Sequence, residues 1–189
     1  EIISADSRLV YKGFDIGTAK PTIDEREGIP HYLIDIVEPE LDYSVGLWVQ
    51  EAEKCINDIL SRGKTPIIVG GTGLYFRVLL ENYNLPKVEP NYELREALNL
   101  LDFSQLYERL VLNDKKTADM IARNDKKKII RAIEVVETLG VPMSQARGVN
   151  EYSSYNVQWI GRNGPRPELY SRINKRVDLM IEAGLVDEV

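Results

Sequence analysis

The apolar residues of the chain follow two kinds of spacing, which together predict alternating strands and helices. Continuous apolar runs, typical of strands in a parallel sheet covered on both faces, stand at Ile2-Ile3 and Pro66–Val69. A β-rich run between two prolines predicts a further strand over His31–Val37. From Val45 to Arg62 apolar residues recur every three or four positions, which predicts an amphipathic helix capped by Ser44. This alternation is typical of an α/β fold.

The texture changes at Leu85, and the chain to about Ser153 is helical and charged with little strand character. Candidate helices in this stretch cover residues 92–101, 103–112, 115–122 and 125–139. Tyr155–Gly161 is predicted to be a strand that returns to the sheet, and Glu168–Ala183 a final helix with an apolar face. We therefore interpret the middle of the chain as a helical insertion in an α/β core. The predicted domains are the core at 1–84, the insertion at 85–152 and the return to the core at 153–189.

Composition limits the function classes. The chain has 189 residues, of which 43% are hydrophobic and 29% charged, as expected for a globular protein. It contains neither a membrane-spanning apolar run nor a signal peptide, so we expect no membrane partner. The single cysteine, Cys55, cannot form an internal disulfide, which fits a reducing compartment and a cytoplasmic location. The first residues resemble the middle of a strand and the last a continuing helix, so both ends look cut.

Polar residues follow two of the predicted strands. Asp6 comes just after the Ile2-Ile3 strand, at the position where open α/β sheets bind ligands. Residue type alone favours a simple turn or helix cap for Asp6. The Pro66–Val69 strand leads into a glycine turn, Gly70–Gly73, whose backbone N–H groups could face an anion. This turn matches neither common phosphate-loop pattern, and its Thr72 could be an ordinary helix cap.

Two basic clusters suggest an anionic partner, although the net charge of -6 argues against nucleic-acid binding by the whole surface. The segment Arg123–Arg131 holds five cations and one carboxylate at a helix start, where the helix dipole disfavours cations. Lys128 and Arg131 share a helix face there. The second cluster lies on the final helix and includes Arg176, whose guanidinium suits a diphosphate. Both clusters could also be solvated helix faces.

Metal chemistry has little support in the residue types. One histidine and one cysteine provide no zinc spacing and no Ser-His-Asp set. If a metal takes part, we expect Mg²⁺ held by oxygen ligands and a substrate diphosphate.

Several motifs closely resemble the tRNA dimethylallyltransferase family, also called tRNA isopentenyltransferase. The matching segments occur in family order along nearly the whole chain: Ile3–Ser7, Tyr11–Pro21, Pro30–Asp35, Gly70–Tyr75, Asn124-Asp125, Arg131–Glu134, Glu168–Tyr170 and Arg176–Met180. The most specific are DIGTAKP at Asp15–Pro21 and GGTGLY at Gly70–Tyr75. One departure is Ala122-Arg123, where the family usually has His-Pro before Asn-Asp.

The resemblance implies a P-loop NTPase-like parallel sheet core, a nucleotide-binding and ATP-binding class, with a helical insertion domain. It implies transfer of a dimethylallyl group from dimethylallyl diphosphate to N6 of the adenosine next to the anticodon of tRNA. Diphosphate is released and Mg²⁺ is required. The tRNA anticodon stem-loop is the implied macromolecular partner, and the protein is expected to be a monomer. The first strand and the P-loop of this family precede the strand that begins at Glu1, so we expect them upstream of these residues.

The resemblance also implies residue roles. Asp6 corresponds to the catalytic carboxylate that accepts the N6 proton, and Thr72 lies against the target nucleotide as a second catalytic residue. The residues implied to contact tRNA are Asp6, Ser7, Arg8, Leu9, Thr72, Arg95, Lys127, Lys128, Ile129, Ile130 and Arg131. Arg176 corresponds to an arginine near the diphosphate, and no metal ligand is expected within these residues. Two alternatives stay open, an adenylate isopentenyltransferase acting on free nucleotide and a non-catalytic RNA-binding relative.

Overall fold

The computed structural model describes residues 1–81, 83–149 and 155–189. These residues form two compact units. The first, the α/β unit, comprises Glu1–Leu80 and Ser153–Val189, and the second, the helical unit, comprises Glu81–Tyr152. Each unit has its own hydrophobic core. Within the described residues, no helix is both long and apolar enough to cross a membrane.

A three-stranded parallel sheet lies at the centre of the α/β unit. Its strands are β1 (Ile2–Ser4), β2 (His31–Tyr32) and β3 (Ile67–Val69), in the order β2-β1-β3. Ile3 of the central strand is fully buried and is in register with Tyr32 and Ile68. The described residues therefore form the mixed α/β fold with a parallel sheet that the sequence pattern predicts, in line with the P-loop NTPase-like core that the family resemblance implies.

Helix α1 (Val45–Ser61) packs on this sheet through one apolar face. Its buried residues, at spacings of four and three, are Trp48, Ala52, Ile56 and Ile59. The Ser44 side chain accepts a hydrogen bond from the Leu47 N–H and caps the helix, as predicted. The unit also contains α2 (Gly73–Leu80), α7 (Arg166–Glu182) and α8 (Leu185–Glu188).

The described part of the helical unit contains four helices and a strand pair: β4 (Tyr83–Asn84), α3 (Tyr92–Asn99), α4 (Phe103–Ala118), α5 (Lys126–Leu139), α6 (Met143–Ala146) and β5 (Gly148–Val149). The two short strands pair antiparallel. The core of the unit consists mainly of apolar residues from α4 and α5, including Leu106, Leu110 and Ile133. Gly140 ends α5 with a left-handed backbone, φ 68°, a conformation that glycine adopts without steric cost.

One break in the helical unit coincides with the predicted gap between two helices. Helix α4 runs through residues 103–118, but Asp114 within it has a non-helical backbone. Its buried carboxylate accepts hydrogen bonds from the N–H and hydroxyl of Thr117 and from those of Ser144. These bonds satisfy the buried carboxylate, so contacts within the core stabilise the kink at Asp114.

Two strand predictions were wrong, one in part and one in full. The strand expected over His31–Val37 stops at Tyr32, because Leu33 and Asp35 adopt left-handed conformations with φ of 61° and 58°. Tyr155–Gly161 forms no strand, because it pairs with none of the strands in the described residues. The helix predicted over residues 168–183 is confirmed as α7, and because none of its residues is buried, its apolar face is not covered by other described residues.

Candidate active site

The carboxyl ends of β1 and β3 lie side by side, which brings Asp6 and the Gly70–Gly73 turn to one edge of the sheet. Ser4 is in register with Val69 at the end of the pairing. Beyond it, the Ala5 N–H donates to the Val69 carbonyl at 2.7 Å, and the Thr72 N–H donates to the Ala5 carbonyl at 3.1 Å. The two loops are thus joined by backbone hydrogen bonds where they leave the sheet.

Gly70 is required by the close approach of these loops. A Cβ atom at this position would lie 2.2 Å from the Ala5 carbonyl oxygen, well inside any real contact distance. A Cβ on the neighbouring Gly71 would meet nothing within 4 Å. The first glycine of the turn is therefore a packing requirement, and the second is not.

Thr72 connects the glycine turn to the segment that carries Asp6. Its hydroxyl oxygen accepts a hydrogen bond from the Ser7 N–H at 3.0 Å. Its carbonyl accepts from the Tyr75 N–H at 2.9 Å, in the first turn of α2. The predicted catalytic residues Asp6 and Thr72 are thus brought together through Ser7.

One oxygen of the Asp6 carboxylate has a fixed partner. Oδ1 accepts the Arg8 N–H at 2.7 Å, and the Asp6 N–H itself donates to the buried Ser4 hydroxyl at 3.3 Å. No described residue donates a hydrogen bond to Oδ2, and the side chain is partly exposed. A carboxylate oriented through one oxygen and open at the other can accept a proton from a bound molecule.

Trp48 and Tyr75 stabilise this edge of the sheet. The sequence analysis did not identify either residue as part of the site. The Trp48 indole N–H donates to the Ser4 carbonyl at 2.9 Å, and its ring stacks on Tyr75 with centroids 4.3 Å apart. Burial, with the nearby Tyr11 and Asp6, raises the pKa of Tyr75 to about 12, so its phenol stays neutral. Two sequence signals could have identified them: the position of Trp48 on the buried face of α1, and the position of Tyr75 in the GGTGLY motif.

Of the other predicted residues of the α/β unit, Leu9 is half-buried, whereas Arg8 and Arg176 are exposed. Arg8 is exposed beside Asp6, and the Leu9 carbonyl accepts the Asp35 N–H at 3.0 Å. Arg176 is exposed on α7, and its side chain forms no hydrogen bond or ion pair with a described residue. No contact among the described residues joins it to Asp6 or Thr72.

Two predicted tRNA contacts of the helical unit, Arg95 and Arg131, converge on the fully buried carboxylate of Glu134. Arg95 donates to both carboxylate oxygens at 2.8 and 2.9 Å, and Arg131 donates to one at 2.6 Å. Burial alone would raise the pKa of Glu134, but these bonds and one from the Asn91 N–H lower it to about 2. About a third of each arginine side chain remains exposed, so each can still present cationic surface.

The other four of the five residues predicted to contact tRNA at the start of α5 divide into two pairs. Ile129 and Ile130 are buried in the core of the helical unit, so their side chains cannot reach a surface partner. Lys127 and Lys128 are exposed. Lys128 pairs with the capping Asp125 at 2.5 Å, whereas Lys127 forms no ion pair with a described residue.

The described residues do not fit a metal site by themselves. No group of three or more His, Cys, Asp or Glu side chains is placed among them to hold an ion. Asp6 is a single carboxylate with one oxygen already bonded to the Arg8 N–H. We therefore assign no step of the chemistry to a metal held by these residues.

A family model and several known proteins match the chain over nearly all of its length. The family model described as IPP transferase matches residues 9–189. The chain is 44% identical to a tRNA dimethylallyltransferase of Thermomicrobium roseum and 46% identical to one of Roseiflexus castenholzii. All of the chain is covered in both matches, against 58% and 63% of the two relatives. The chain thus spans about three fifths of their length.

Solved structures of tRNA-modifying transferases also match the chain. All of the chain superposes on 63% of a tRNA isopentenylpyrophosphate transferase from Staphylococcus epidermidis, with a TM-score of 0.62 and 43% identity. It also covers 48% of a eukaryotic dimethylallyltransferase acting on tRNA, with a TM-score of 0.76 and 30% identity. The family model matches far more than half of the chain, and the alignments with the two relatives cover all of it. The chain belongs to the IPP transferase family.

Proposed function

We propose that this protein transfers a dimethylallyl group from dimethylallyl diphosphate to N6 of the adenosine next to the anticodon of tRNA. In the proposed step the N6 nitrogen forms a bond to C1 of the dimethylallyl group, and the bond from C1 to the diphosphate oxygen breaks. Diphosphate leaves with the bonding electron pair, and the N6 proton passes to Asp6. The similarity to tRNA dimethylallyltransferases supports this reaction.

The open Oδ2 atom of Asp6 is the observation that carries the proposal. An exocyclic amine becomes an effective nucleophile when its proton has an acceptor within hydrogen-bond reach. Asp6 has one oxygen fixed by Arg8, stands at the carboxyl edge of the sheet and is adjacent to the Ser7–Thr72 link. A target base must leave its stack to reach such a group.

Ser7, Arg8 and Leu9 extend the proposed tRNA contact from Asp6, with Thr72 against the target nucleotide. In the helical unit the proposed contacts are Arg95, Lys127, Lys128 and Arg131, because they keep exposed cationic surface. Ile129 and Ile130 are buried, so the prediction that their side chains contact tRNA is wrong. We further propose that residues 85–152 are an insertion between core segments 1–84 and 153–189.

Positive charge must stabilise the diphosphate as it leaves. Arg176 is the proposed contributor from this chain, because its side chain is exposed and forms no ion pair among the described residues. Mg²⁺, when bound with the diphosphate, would supply further charge at the leaving oxygens. A monomeric state and a cytoplasmic location remain predictions.

The test offers the full-length protein a labelled dimethylallyl diphosphate with an anticodon stem-loop in one reaction and AMP in another. Transfer to the stem-loop, mapped to N6 of the adenosine next to the anticodon, supports the proposal. Transfer to AMP alone would overturn it in favour of a free-nucleotide enzyme. Binding of the stem-loop without any transfer would instead indicate a non-catalytic RNA-binding protein.

A further inference from the structure

The carboxylate of Glu188, on the short helix α8, accepts hydrogen bonds from three backbone N–H groups of a loop near the other end of the sequence. Its Oε2 accepts the backbone N–H groups of Asp15 at 2.8 Å and Ile16 at 2.6 Å, and its Oε1 accepts that of Gly17 at 2.8 Å. Successive N–H groups directed at one point form a concavity that binds anions. Here the anion is a side chain at least 171 residues away in sequence.

The fit between this loop and α8 is close. A Cβ at Gly17 would lie 3.0 Å from Cδ1 of Leu185 and 3.3 Å from Oε1 of Glu188. The bonds to the Gly17, Ile16 and Asp15 N–H groups lower the pKa of Glu188, so the carboxylate stays charged at neutral pH. Charged acceptors form stronger hydrogen bonds than neutral ones.

A buried lysine holds the same loop from its other end. Only 5% of the Lys20 side chain is exposed, and its ammonium forms ion pairs with Asp15, at 2.5 Å, and with Asp35. It also donates to the Tyr11 carbonyl at 3.1 Å. Asp15 is thus held twice, by Glu188 through its backbone and by Lys20 through its carboxylate.

Two of the residues that Lys20 contacts, Tyr11 and Asp35, are in turn bonded to the segment that follows Asp6. The Asp35 N–H donates to the Leu9 carbonyl at 3.0 Å, and the Tyr11 N–H donates to the Arg8 carbonyl at 3.2 Å. Ala19 and Asp35, which flank the lysine contacts, have left-handed φ values of 52° and 58°. Such conformations are costly for residues other than glycine and persist only where surrounding contacts impose them.

We propose that Glu188 and Lys20 are positioning residues that hold residues 8–20 in place and, through them, orient Asp6 for the transfer reaction. The part concerning the reaction rests on the proposed function, whereas the anchoring itself does not. A carboxylate that lies on a flexible segment spends less time in the geometry that proton transfer requires. Loss of either anchor is therefore expected to lower kcat more than it raises KM.

The test compares Glu188→Ala and Glu188→Gln with Asp187→Ala in the full-length protein. Asp187 is the neighbouring acid and forms no side-chain hydrogen bond or ion pair with a described residue. Backbone amide exchange is followed at residues 15–17, at Tyr11 and Asp35, and at Ile129 in the helical unit as an internal reference. Lys20→Met serves as the second anchor variant and keeps the length of the side chain.

Glu188→Ala should accelerate exchange at residues 15–17 by at least about 10-fold, with smaller increases at Tyr11 and Asp35 and none at Ile129. Turnover of stem-loop and dimethylallyl diphosphate should fall about 10- to 100-fold, mainly in kcat. Glu188→Gln, which keeps one carbonyl acceptor, should restore part of both effects. Lys20→Met should repeat the changes at Tyr11 and Asp35, and Asp187→Ala should behave as wild type.

Unchanged exchange at residues 15–17 in Glu188→Ala would overturn the anchoring, whatever the activity. Faster exchange with wild-type kcat would overturn the role in orienting Asp6. If the wild-type protein transfers no prenyl group, the proposed function fails, and exchange at Tyr11 and Asp35 still decides whether the anchors hold the segment after Asp6. If Glu188→Ala does not fold, Glu188→Gln and Lys20→Met provide the same comparisons.

Discussion

The hydroxyl oxygen of Thr72 accepts a hydrogen bond from the backbone N–H of Ser7, 65 residues earlier in the chain, at 3.0 Å. This bond joins the glycine turn after β3 to the segment after β1 that carries Asp6. A threonine that could have been an ordinary helix cap is thereby part of the candidate active site. Because this bond depends on one side-chain oxygen, a substitution at Thr72 can test whether the bond aligns the two loops.

Replacing Thr72 by valine keeps its shape and removes the acceptor. The Ser7 N–H then loses its partner in a partly buried position, which should lower the free energy of unfolding by about 1 kcal/mol. Transfer activity should fall by more than that stability loss explains, because the Asp6 segment is less well placed. Thr72→Ser, which keeps the hydroxyl, is the control. Equal activity of the two variants would remove this role from the hydroxyl.

Alanine substitutions at the two neighbouring glycines should differ strongly in their effect on stability. In Gly70→Ala the new Cβ would lie 2.2 Å from the Ala5 carbonyl oxygen, so the strand ends must separate. The expected destabilisation is about 3 kcal/mol or more, at the upper end for overpacked sites. Gly71→Ala has open space and should change stability by less than about 1 kcal/mol. Urea unfolding of both variants measures the difference, and equal stabilities would contradict the packing described for this turn.

The sequence predicted helices better than it predicted the limits of strands. The period of Trp48, Ala52, Ile56 and Ile59 identifies α1, because burial of one face leaves a local signature. The short β2 strand was overestimated because the left-handed turn at Leu33 and Asp35 is imposed by tertiary contacts and not by local propensity.

The candidate site was predictable in part. Asp6 and Thr72 were found through family motifs, since local spacing alone left each compatible with a cap. The supporting contacts of Trp48, Gly70 and Glu188 were not found. They depend on pairings between residues tens to more than a hundred positions apart, for which a single sequence carries no periodic signal.

Removing the charge of Glu134 should destabilise the helical unit in a pH-dependent way. In Glu134→Gln the guanidinium groups of Arg95 and Arg131 lose their shared counter-charge, for an expected loss of about 2–3 kcal/mol at neutral pH. This value is below that for a fully buried pair, because both arginines are partly solvated. Glu137→Gln, which removes the more exposed ion pair with Arg109, should cost less than about 1 kcal/mol.

The sign of the pH dependence follows from the lowered pKa of Glu134. Its carboxylate has a pKa of about 2 in the folded chain against an ordinary value of 4.5. Its contribution is therefore fully present above pH 4.5 and is lost as the pH falls towards 2. The stability difference between wild type and Glu134→Gln should shrink between neutral pH and pH 3, measured by urea unfolding at both. A constant difference would contradict the network.

Lys127 is a cleaner test of RNA contact than Arg131. Charge reversal at Arg131 would disturb its bond to Glu134, whereas Lys127 has no ion-pair partner among the described residues. Lys127→Glu should weaken binding of an anticodon stem-loop and reduce the slope of log K against log salt by about 1. Lys115→Glu, the same charge change on an exposed residue of α4, should have a smaller effect. Equal effects would indicate a general response to net charge.

Replacing Asp6 by asparagine tests the central claim most directly, because it preserves size and removes the proton acceptor. The measurement is single-turnover transfer of a labelled dimethylallyl group to an anticodon stem-loop, with stem-loop affinity determined in parallel. The predicted result is a rate at least about 100-fold below wild type, with affinity largely unchanged. A rate near that of wild type would contradict the assignment of Asp6 as the group that accepts the N6 proton.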